Sequence, residues 1–200
     1  MAAPTPVVIE TARIAALDRY AILDSEPEEA FDDLVTLAAH ICQTPMAMLS
    51  LVDDHRQWFK SKVGVQVRET PRDISICAHA IQQRDLFIIP DTHEDARFRE
   101  NPLVVGEPGI RFYAGAPLIN EDGFALGTLY VVDREPRVLD SEQKEALEAI
   151  SRLALRQMEL RKNLQLLKDA LNDRTREEHA REQEIKHLQE KLIRVLGLNI

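Results

Sequence analysis

Residues 141–200 contain no proline, and the only glycine among them is Gly197. Proline and glycine are the residue types that most weaken a helix interior, so their near absence predicts one long helix. At 1.5 Å per residue, such a helix would extend on the order of 80 Å. A domain of ordinary size cannot cover a helix of this length, so much of its apolar surface must meet another chain.

Apolar residues recur along this helix at the a and d positions of a heptad repeat when Leu164 is placed at an a position. The apolar residues of the predicted dimer seam are Ile150, Leu153, Leu160, Leu164, Leu167, Leu171, Ile185, Leu188, Leu192 and Val195. The pattern predicts a coiled coil, and we therefore expect a homodimer that forms through the C-terminal helix.

Charged residues interrupt the seam at Arg174, Glu178 and Arg181. In a parallel dimer, Glu177 would also face the partner's Glu182, and such a like-charge contact is unfavourable. The interruption is typical of a solvated stretch that a long coil tolerates, and the alternative is a switch at which the coil yields. Parallel, antiparallel and four-helix arrangements therefore stay open.

Two shorter helices are predicted before the strands begin. Apolar residues spaced three and four apart indicate amphipathic helices at residues 11–23 and 28–42. Asp24 or Ser25 is the predicted cap of the second helix, because both side chains can accept a hydrogen bond from a free N–H group.

The middle of the chain has the composition of β-strands. Five strands are predicted, at residues 46–53, 56–63, 86–91, 111–119 and 124–132. The first and last are apolar on both alternations, as central strands are, whereas the second carries Arg56, Lys60 and Lys62 on one alternation and is predicted to lie at an edge. Asp122-Gly123 is the predicted tip of the last hairpin. With the helices, these strands predict an α+β fold around a mostly antiparallel sheet.

The charge of the chain is distributed unevenly. Residues 1–140 contain 13 basic and 23 acidic residues, while residues 141–200 contain 12 and 11. The acidic part should repel phosphate backbones, so we expect no nucleic-acid partner. With two cysteines, no secretion signal and no apolar run of about eighteen residues, the sequence predicts a cytoplasmic protein with no membrane partner.

Several segments, in their order along the chain, resemble a GAF domain of the sensory kind found ahead of histidine kinases and diguanylate cyclases in bacteria. These segments are LDSEPEEAFDDLVTLAA, SLVDDHRQWFKSKVG, TPRDISICAHAI, DTHEDARFRENPLV and IRFYAGAPLINEDGFALGTLYVVD. The resemblance implies a sensor that binds a small molecule on one side of an antiparallel sheet of five or six strands and signals through flanking helices. The chain then divides into a flexible N-terminus (1–9), a GAF sensor domain (10–140) and a long helix with a coiled coil (141–200).

The resemblance leaves the effector and any cofactor unknown, because GAF domains bind ligands as different as cyclic nucleotides, bilins, haem, iron and nitrate. Such sensors usually continue into a catalytic module, but no H-box, kinase nucleotide-binding motif or GGDEF-like segment is present. We therefore expect a fragment or a protein that depends on a separate output protein. Hydrolase, metalloprotease and phosphate-loop motifs are also absent, so no enzyme activity is expected. Two alternatives are a ligand-free dimerisation and docking platform and a thiol-dependent reductase that uses Cys77.

The segment RDISICAHAI contains Cys77 and His79, the residues with the most varied chemistry. A helix capped by Asp73 would place Cys77 on an apolar stripe with Ile76 and Ala80, so Cys77 is predicted to pack in the core. His79 would lie about 200° away on the more polar face, which makes the pair a poor chelate. His79 is therefore a candidate for the pocket and equally for the surface.

The resemblance to GAF domains implies that the loop DTHEDARFRE lies over the mouth of the pocket. Asp91, His93 and Asp95 offer donors for a divalent cation, whereas Arg97 and Arg99 offer donors for a carboxylate or phosphate. A solvated loop held by local salt bridges is the third and favoured interpretation, and no metal is assigned. The predicted ligand-binding residues of this region are His79, Asp91, Asp95, Arg97, Phe98, Arg111 and Tyr113.

Strand alternation gives two further predictions. Trp58 lies on the alternation of Arg56 and Lys60, so it is predicted to lie on an edge-strand surface or at an interface. Gly115 shares a face with Tyr113, and its missing side chain leaves room for either a ligand or a closely packed helix. Tyr113 would then form part of the pocket wall.

Overall fold

The computed structural model describes the backbone of residues 6–196 and the side chains of residues 9–192. Its helices are α1 (Pro6–Asp18), α2 (Glu29–Cys42), α3 (Cys77–Ala80), α4 (Pro102–Val105) and α5 (Ser141–Leu196). Its strands are β1 (Met46–Val52), β2 (Arg56–Val63), β3 (Glu69–Pro71), β4 (Phe87–Ile89), β5 (Phe112–Ile119) and β6 (Ala125–Asp133). They form one antiparallel sheet in the order β3-β2-β1-β6-β5-β4. The predicted α+β fold, a sheet of five or six antiparallel strands flanked by helices, is confirmed.

The first helix lies five residues earlier in the chain than predicted, and residues 19–23, which were predicted to belong to it, are not helical. Helix α1 begins at Pro6, so residues 6–9, which were predicted to be flexible, belong to this helix. Residues 1–5 of the same predicted segment lie outside the described residues. The inner side of α1 buries Ala16 and Leu17 completely or nearly so, and this burial holds the helix on the sheet.

Helix α2 forms over the residues predicted for it, because Phe31, Val35 and Ala38 recur on one face and all are buried. It begins at Glu29 without a side-chain cap, so the prediction that Asp24 or Ser25 caps it is wrong. Both of these side chains bind basic residues of β2 instead. An ion pair or hydrogen bond to another element has taken the place of the local capping contact.

The two strands that are apolar on both alternations, β1 and β6, lie next to each other at the centre of the sheet. All of their residues are buried, as their continuous apolar runs predicted. The two backbones approach closely at Gly127, where a Cβ atom would lie 2.8 Å from the Cα of Leu51. Only glycine permits this approach.

Strand β2 lies between β1 and β3, so the prediction that it lies at an edge is wrong. A bulge in its pairing with β1 shifts the register, so that adjacent side chains reach the helices. Lys60 Nζ lies 2.7 Å from a Glu28 carboxylate oxygen, and the Ser61 hydroxyl lies 2.6 Å from an Asp32 carboxylate oxygen. The basic residue that suggested a solvent-exposed edge is therefore buried and paired.

Trp58 is 7% exposed and packs in the core beneath the helices. It lies opposite Leu51 of β1, another residue of the same core. The prediction of a surface or interface position is therefore wrong, because the face of β2 that Trp58 shares with Arg56 and Lys60 is the one that the helices cover.

Apolar side chains pack on both faces of the sheet. On the first face, α1, α2 and the first turns of α5 cover Phe112 and Ala114 together with alternate residues of β1 and β6. On the second face, α3, α4 and the adjoining loops cover Met48, Tyr113 and Tyr130. The predicted alternation of β5 is confirmed, and the second face holds the candidate site.

Helix α5 begins with a capping box. Asp140 Oδ1 accepts a hydrogen bond from the Gln143 backbone N–H at 2.8 Å, and the Gln143 side chain accepts one from the Asp140 N–H at 3.2 Å. The helix then continues to Leu196, as the absence of proline and glycine predicted. None of the helices in the described part of the chain has the length and apolar character needed to cross a membrane.

The chain divides after Glu159 into two compact units. In the first unit, Leu147, Ile150 and Ala154 of α5 are buried in the core on the first face of the sheet. Ile150 is 3% exposed, so it has no free surface for a partner chain. Its assignment to the dimer seam is wrong, because the domain itself covers this turn of the helix.

Candidate functional site

A cavity of about 50 Å³ lies between the second face of the sheet and the segments that cover it. Strand residues form its floor, while α3, α4 and the loops 64–68 and 106–111 form its cover. Its lining residues are Met48, Gln57, Phe59, Val65, Val67, Thr70, Ile76, Cys77, Leu103, Pro108, Ile110, Tyr113, Tyr130 and Val132. Most of these side chains are apolar, and the polar ones are concentrated where α3 meets the sheet.

Three buried polar side chains form a hydrogen-bonded chain beside the cavity. The Ser75 hydroxyl donates to Gln57 Oε1, and Gln57 Nε2 donates to the Tyr130 hydroxyl at 2.8 Å. Ser75 Oγ also accepts a hydrogen bond from the Ala78 N–H at 3.1 Å. Because buried amides require partners, this chain fixes the orientation of Gln57 and links the sheet to the first turn of α3.

Cys77 begins α3, and its side chain packs against the sheet. The sulfur lies 3.2 Å from the Tyr113 hydroxyl and 3.6 Å from the Ser50 hydroxyl. The residue is 1% exposed, and burial raises the pKa of the thiol despite these hydrogen bonds. The prediction that Cys77 packs in the core is confirmed, and a protonated thiol is a poor nucleophile.

The segment before Cys77 is a tight turn rather than part of one longer helix. Residues Arg72–Ile74 form a 3₁₀ turn, and α3 follows it as a separate single turn. Asp73 lies inside the 3₁₀ turn and accepts a hydrogen bond from the next N–H group, so the prediction that it caps a longer helix is wrong. The apolar stripe predicted for this segment is nevertheless buried.

Tyr113 fills the space that the sequence left open beside the sheet. Its ring stacks on that of Tyr130, with the ring centroids 5.2 Å apart. A Cβ atom at Gly115 would overlap the Tyr113 hydroxyl and lie 2.7 Å from Thr128 Cγ2. Gly115 is therefore required by the neighbouring tyrosine, and not by a ligand or a helix. Burial raises the pKa of both tyrosines well above the ordinary value, so both hydroxyls are protonated.

Four of the predicted ligand-binding residues contact one another outside the cavity. The His79 ring meets the Phe98 ring edge-on, with centroids 4.9 Å apart, and the Arg97 guanidinium lies 5.0 Å from the Phe98 centroid. Arg97 Nη2 also pairs with Asp95 Oδ2 at 2.6 Å. Burial, together with the positive charge of Arg97, lowers the pKa of His79, so its imidazole is neutral at pH 7.

Asp91 and Arg111 form a separate bidentate ion pair, in which Nε lies 2.8 Å from Oδ1 and Nη2 lies 2.5 Å from Oδ2. The hydrogen bonds from Arg111 lower the pKa of Asp91 to about 2. Asp91 Oδ1 also accepts a hydrogen bond from the His93 N–H. These contacts agree with the interpretation of a loop held by local ion pairs.

The structure thus separates the predicted ligand-binding residues. Tyr113 lines the cavity, Asp91 and Asp95 border a shallow groove beside β4, and His79 borders another groove near α3. Sequence reasoning missed Gln57 as a site residue. The available signal was an uncharged polar side chain inside a strand, where burial demands a partner.

The predicted cation donors Asp91, His93 and Asp95 do not form a cluster among the described residues. Near the β1–β2 turn, Asp53, Asp54 and His55 each have a potential ligand atom within 4.8 Å of the others. Asp53 already pairs with a basic residue of β2, and the other two side chains are exposed. Exposed acidic turns of this kind are common without a bound ion, so no metal is assigned.

The second compact unit is the part of α5 that follows Glu159. In a single chain its seam residues are half exposed, from 50% at Ile185 to 58% at Leu167. They comprise Leu160, Leu164, Leu167, Leu171, Ile185, Leu188 and Leu192. Leu153 of the first unit is 47% exposed, and Val195 lies outside the residues whose side chains are described.

Two of the three charged seam residues form an ion pair with each other within one helix. Arg174 Nε lies 3.0 Å from Glu178 Oε1, one turn further along α5. Both side chains are more than half exposed, so the pair contributes little to stability on its own.

The family model for the GAF domain matches residues 26–157. Together with a six-stranded antiparallel sheet that has a cavity on one face, this match defines the class of the protein as a signalling and sensing module. The chain belongs to the GAF domain family.

One relative, a cyclic di-GMP phosphodiesterase from Pseudomonas aeruginosa, is 44% identical to the chain over 156 residues. The match covers 78% of this chain and 27% of the relative, so the chain spans about a quarter of that protein's length.

Solved structures share the fold at low sequence identity. The GAF domain of an Acinetobacter phosphoenolpyruvate-protein phosphotransferase aligns with a TM-score of 0.56 at 14% identity, over 78% of this chain and 94% of that one. A free methionine-R-sulfoxide reductase from Neisseria meningitidis aligns with a TM-score of 0.56 at 12% identity, over 82% of this chain and 96% of that one. At these identities the likeness shows the fold alone.

Proposed function

We propose that the chain senses a small-molecule effector in the cavity beside Tyr113 and Tyr130. It passes the bound state, through a dimeric coiled coil formed by α5, to an output domain or a partner protein. The observation that carries the proposal is the cavity itself, a largely apolar space on the sheet face that α3 covers. Ligand sites are typically concave and apolar, with a few placed polar groups, and the Gln57 network supplies such groups here.

The exposed seam of α5 supports the dimer. About half of each seam leucine is solvent-exposed in a single chain, and an apolar stripe of this kind favours association with a second helix. Because Ile150 is buried in its own domain, the seam that we propose begins at Leu153. The charged interval at Arg174, Glu178 and Arg181 is the part of the coil that we expect to yield.

The relative from Pseudomonas aeruginosa supports a regulatory role. Its name describes a phosphodiesterase, and the matching region is only about a quarter of its length. We therefore propose that the chain regulates an activity carried by another domain or by a separate protein, and that it performs no chemistry itself.

The environment of Cys77 argues against the alternative of a thiol-dependent reductase. The thiol is buried and its pKa is raised, whereas such chemistry needs a thiolate that a substrate can reach. The small cavity favours a different alternative, a ligand-free dimerisation and docking platform, since ligand pockets usually measure about 300–1,000 Å³.

A cross-linking experiment tests the proposal. Glu178→Cys places a thiol at an a position of the charged interval, and Arg176→Cys places one at a matched position off the seam. The native cysteines are buried, so the introduced thiol is the reactive one. A paired, parallel coil should give rapid interchain disulfide formation at position 178 and slow formation at position 176.

The effector dependence of the cross-link separates the two functions. A compound that raises the melting temperature of the full chain should change the cross-linking rate at position 178 if the coil carries the signal. A docking platform would give the cross-link without any such change. A chain that sediments as a monomer at micromolar concentration and gives no cross-link would contradict both.

A further inference from the structure

We propose that the effector is a small uncharged molecule, largely apolar, that presents one hydrogen-bonding group to the hydroxyl of Thr70. The inference rests on the proposed function, because it names the chemical class of ligand that the cavity takes. It excludes anionic nucleotides, nitrate and carboxylates as occupants of the cavity.

The charge of the lining is the first observation. None of the fourteen side chains around the cavity is that of a lysine, arginine, histidine, aspartate or glutamate. The lining groups that can ionise, Cys77, Tyr113 and Tyr130, are neutral because burial raises the pKa of each. An ion that enters such a space loses its hydration and gains no opposite charge, which is strongly unfavourable.

The two arginines predicted to bind the ligand are already neutralised. Arg97 pairs with Asp95, and Arg111 pairs with Asp91 in a bidentate contact. Neither arginine lines the cavity. An anion would therefore have to break an existing ion pair to gain either arginine as a partner, and a neutral ligand avoids this cost.

The hydroxyl of Thr70 is the second observation. Thr70 lies on β3 and lines the cavity, and its Oγ1 is buried without a hydrogen-bond partner among the described residues. Gln57, by contrast, uses its amide oxygen with Ser75 and its amide nitrogen with Tyr130. Since buried hydroxyls normally have a partner, the open position at Thr70 favours a ligand with a hydroxyl, carbonyl or amine group.

The dimensions of the cavity limit the ligand further. The space of about 50 Å³ is smaller than the ~150 Å³ apolar cavity that holds benzene in an engineered protein. Val67, at 54% exposure, lines the cavity and is also in contact with solvent. A single ring therefore fits only with part of its surface outside the cavity, beside Val67, or with a small movement of the loop 64–68, and a fused-ring nucleotide would need a larger movement.

A matched set of probes tests the ligand class on the full chain. Phenol, benzene and benzoate have the same ring, but phenol adds a neutral hydroxyl and benzoate adds a charge at pH 7. Calorimetric titration should show that phenol binds most tightly, that benzene binds more weakly and that benzoate binds at least tenfold more weakly than phenol.

Two threonine variants locate the hydrogen bond. Thr70→Val keeps the shape of the side chain and removes the hydroxyl, so the affinity for phenol should fall about five- to tenfold while that for benzene is unchanged. Thr44→Val is the control, because Thr44 Oγ1 is also buried without a partner among the described residues, but it does not line the cavity. This control should bind phenol as the wild type does.

Several outcomes overturn the inference. Benzoate binding as tightly as phenol would show that the cavity accepts charge. An unchanged ratio of phenol to benzene affinity in Thr70→Val, or no binding of either neutral probe at millimolar concentration, would exclude the assigned contact or the ligand class. The cross-linking rate at position 178 tests the proposed function separately. If phenol binds and the rate does not change, signalling through the coil is refuted and the proposed ligand class stands. If benzoate binds and the rate changes, the ligand class is refuted and signalling through the coil stands.

Discussion

Leu166 and Leu167 are neighbours on α5 with nearly equal exposure, 61% and 58%, yet only Leu167 lies on the heptad seam. We predict that Leu167→Ser weakens dimerisation of the chain and that Leu166→Ser does not. The two variants remove the same side chain and differ by one position, so their effects on helix propensity and solubility are matched.

The expected magnitude follows from the exposed fraction. Full burial of a leucine side chain contributes about 1.5–3 kcal/mol, and 58% of Leu167 remains to be buried by a partner. Each helix of the dimer therefore loses about 0.9–1.7 kcal/mol in the Leu167 variant, which is about 2–3.5 kcal/mol per dimer. The dissociation constant should rise about 25- to 300-fold.

Sedimentation equilibrium over a range of concentrations measures this change, and far-UV circular dichroism checks that both variants keep their helix content. An equal effect of the two substitutions would refute the heptad frame, because the association would then depend on exposed apolar area alone. No effect of Leu167→Ser would refute the seam as the dimer contact.

Three further changes test the domain. Gly115→Ala should lower the free energy of unfolding, measured by denaturant titration, by about 1–3 kcal/mol, because its Cβ overlaps Tyr113. Adding Tyr113→Phe should restore part of this loss. An unchanged free energy of unfolding in Gly115→Ala would contradict this packing. Hydrogen bonds from Arg13 lower the pKa of Glu10 from 4.5 to about 2, so its stabilising contribution is complete above pH 4.5 and is lost as the pH falls towards 2. The melting temperature of Glu10→Gln should therefore be below that of the wild type at pH 7 and converge with it near pH 2, whereas a constant difference would count against the ion pair. Burial raises the pKa of Cys42 to about 11 and also raises that of Cys77, so iodoacetamide at pH 7 should label both only after unfolding, and rapid labelling of native Cys77 would revive the reductase alternative.

The patterns that were predicted correctly are those that depend on one element and one neighbour. The continuous apolar runs of β1 and β6 identified the two central strands, because a strand buried on both faces cannot carry polar side chains at low cost. The alternation of β5 assigned Phe112 and Tyr113 to opposite faces, because successive side chains of a strand point to opposite faces of the sheet. The long helix followed from the absence of residues that end helices.

The errors arose where a distant segment supplied a partner. Lys60 suggested an exposed edge strand, but Glu28 comes from the start of another helix and allows the lysine to be buried. Ile150 fits the heptad frame, but the domain core covers it. Neither contact can be inferred from periodicity, since periodicity shows which residues share a face and not what that face meets.

Apart from Tyr113, the residues that line the cavity were not predicted, for a related reason. Its lining comes from five strands, α3, α4 and the loops around them, and its polar members are single residues between apolar ones. The charged loop at 91–99 was predicted to be part of the site because of its position in GAF domains. In the structure Asp95 pairs with Arg97 and Asp91 pairs with Arg111, while the uncharged residues Gln57 and Thr70 border the enclosed space.

Strand β5 provides a short route between the cavity and the helix that we propose as the signal carrier. Tyr113 on its second face borders the cavity, and the carbonyl oxygens of Ala116 and Pro117 accept hydrogen bonds from the Ser151 hydroxyl of α5 at 3.3 Å and 3.2 Å. A ligand that displaces the Tyr113 ring must move β5 or strain it, because the ring already fills the space over Gly115. Under the proposed function, a movement of β5 would reach α5 at Ser151, two residues before the first exposed seam residue, Leu153. We propose that ligand binding biases the pairing of the coil by this route, which requires the two states of the coil to differ in free energy by only a few kcal/mol.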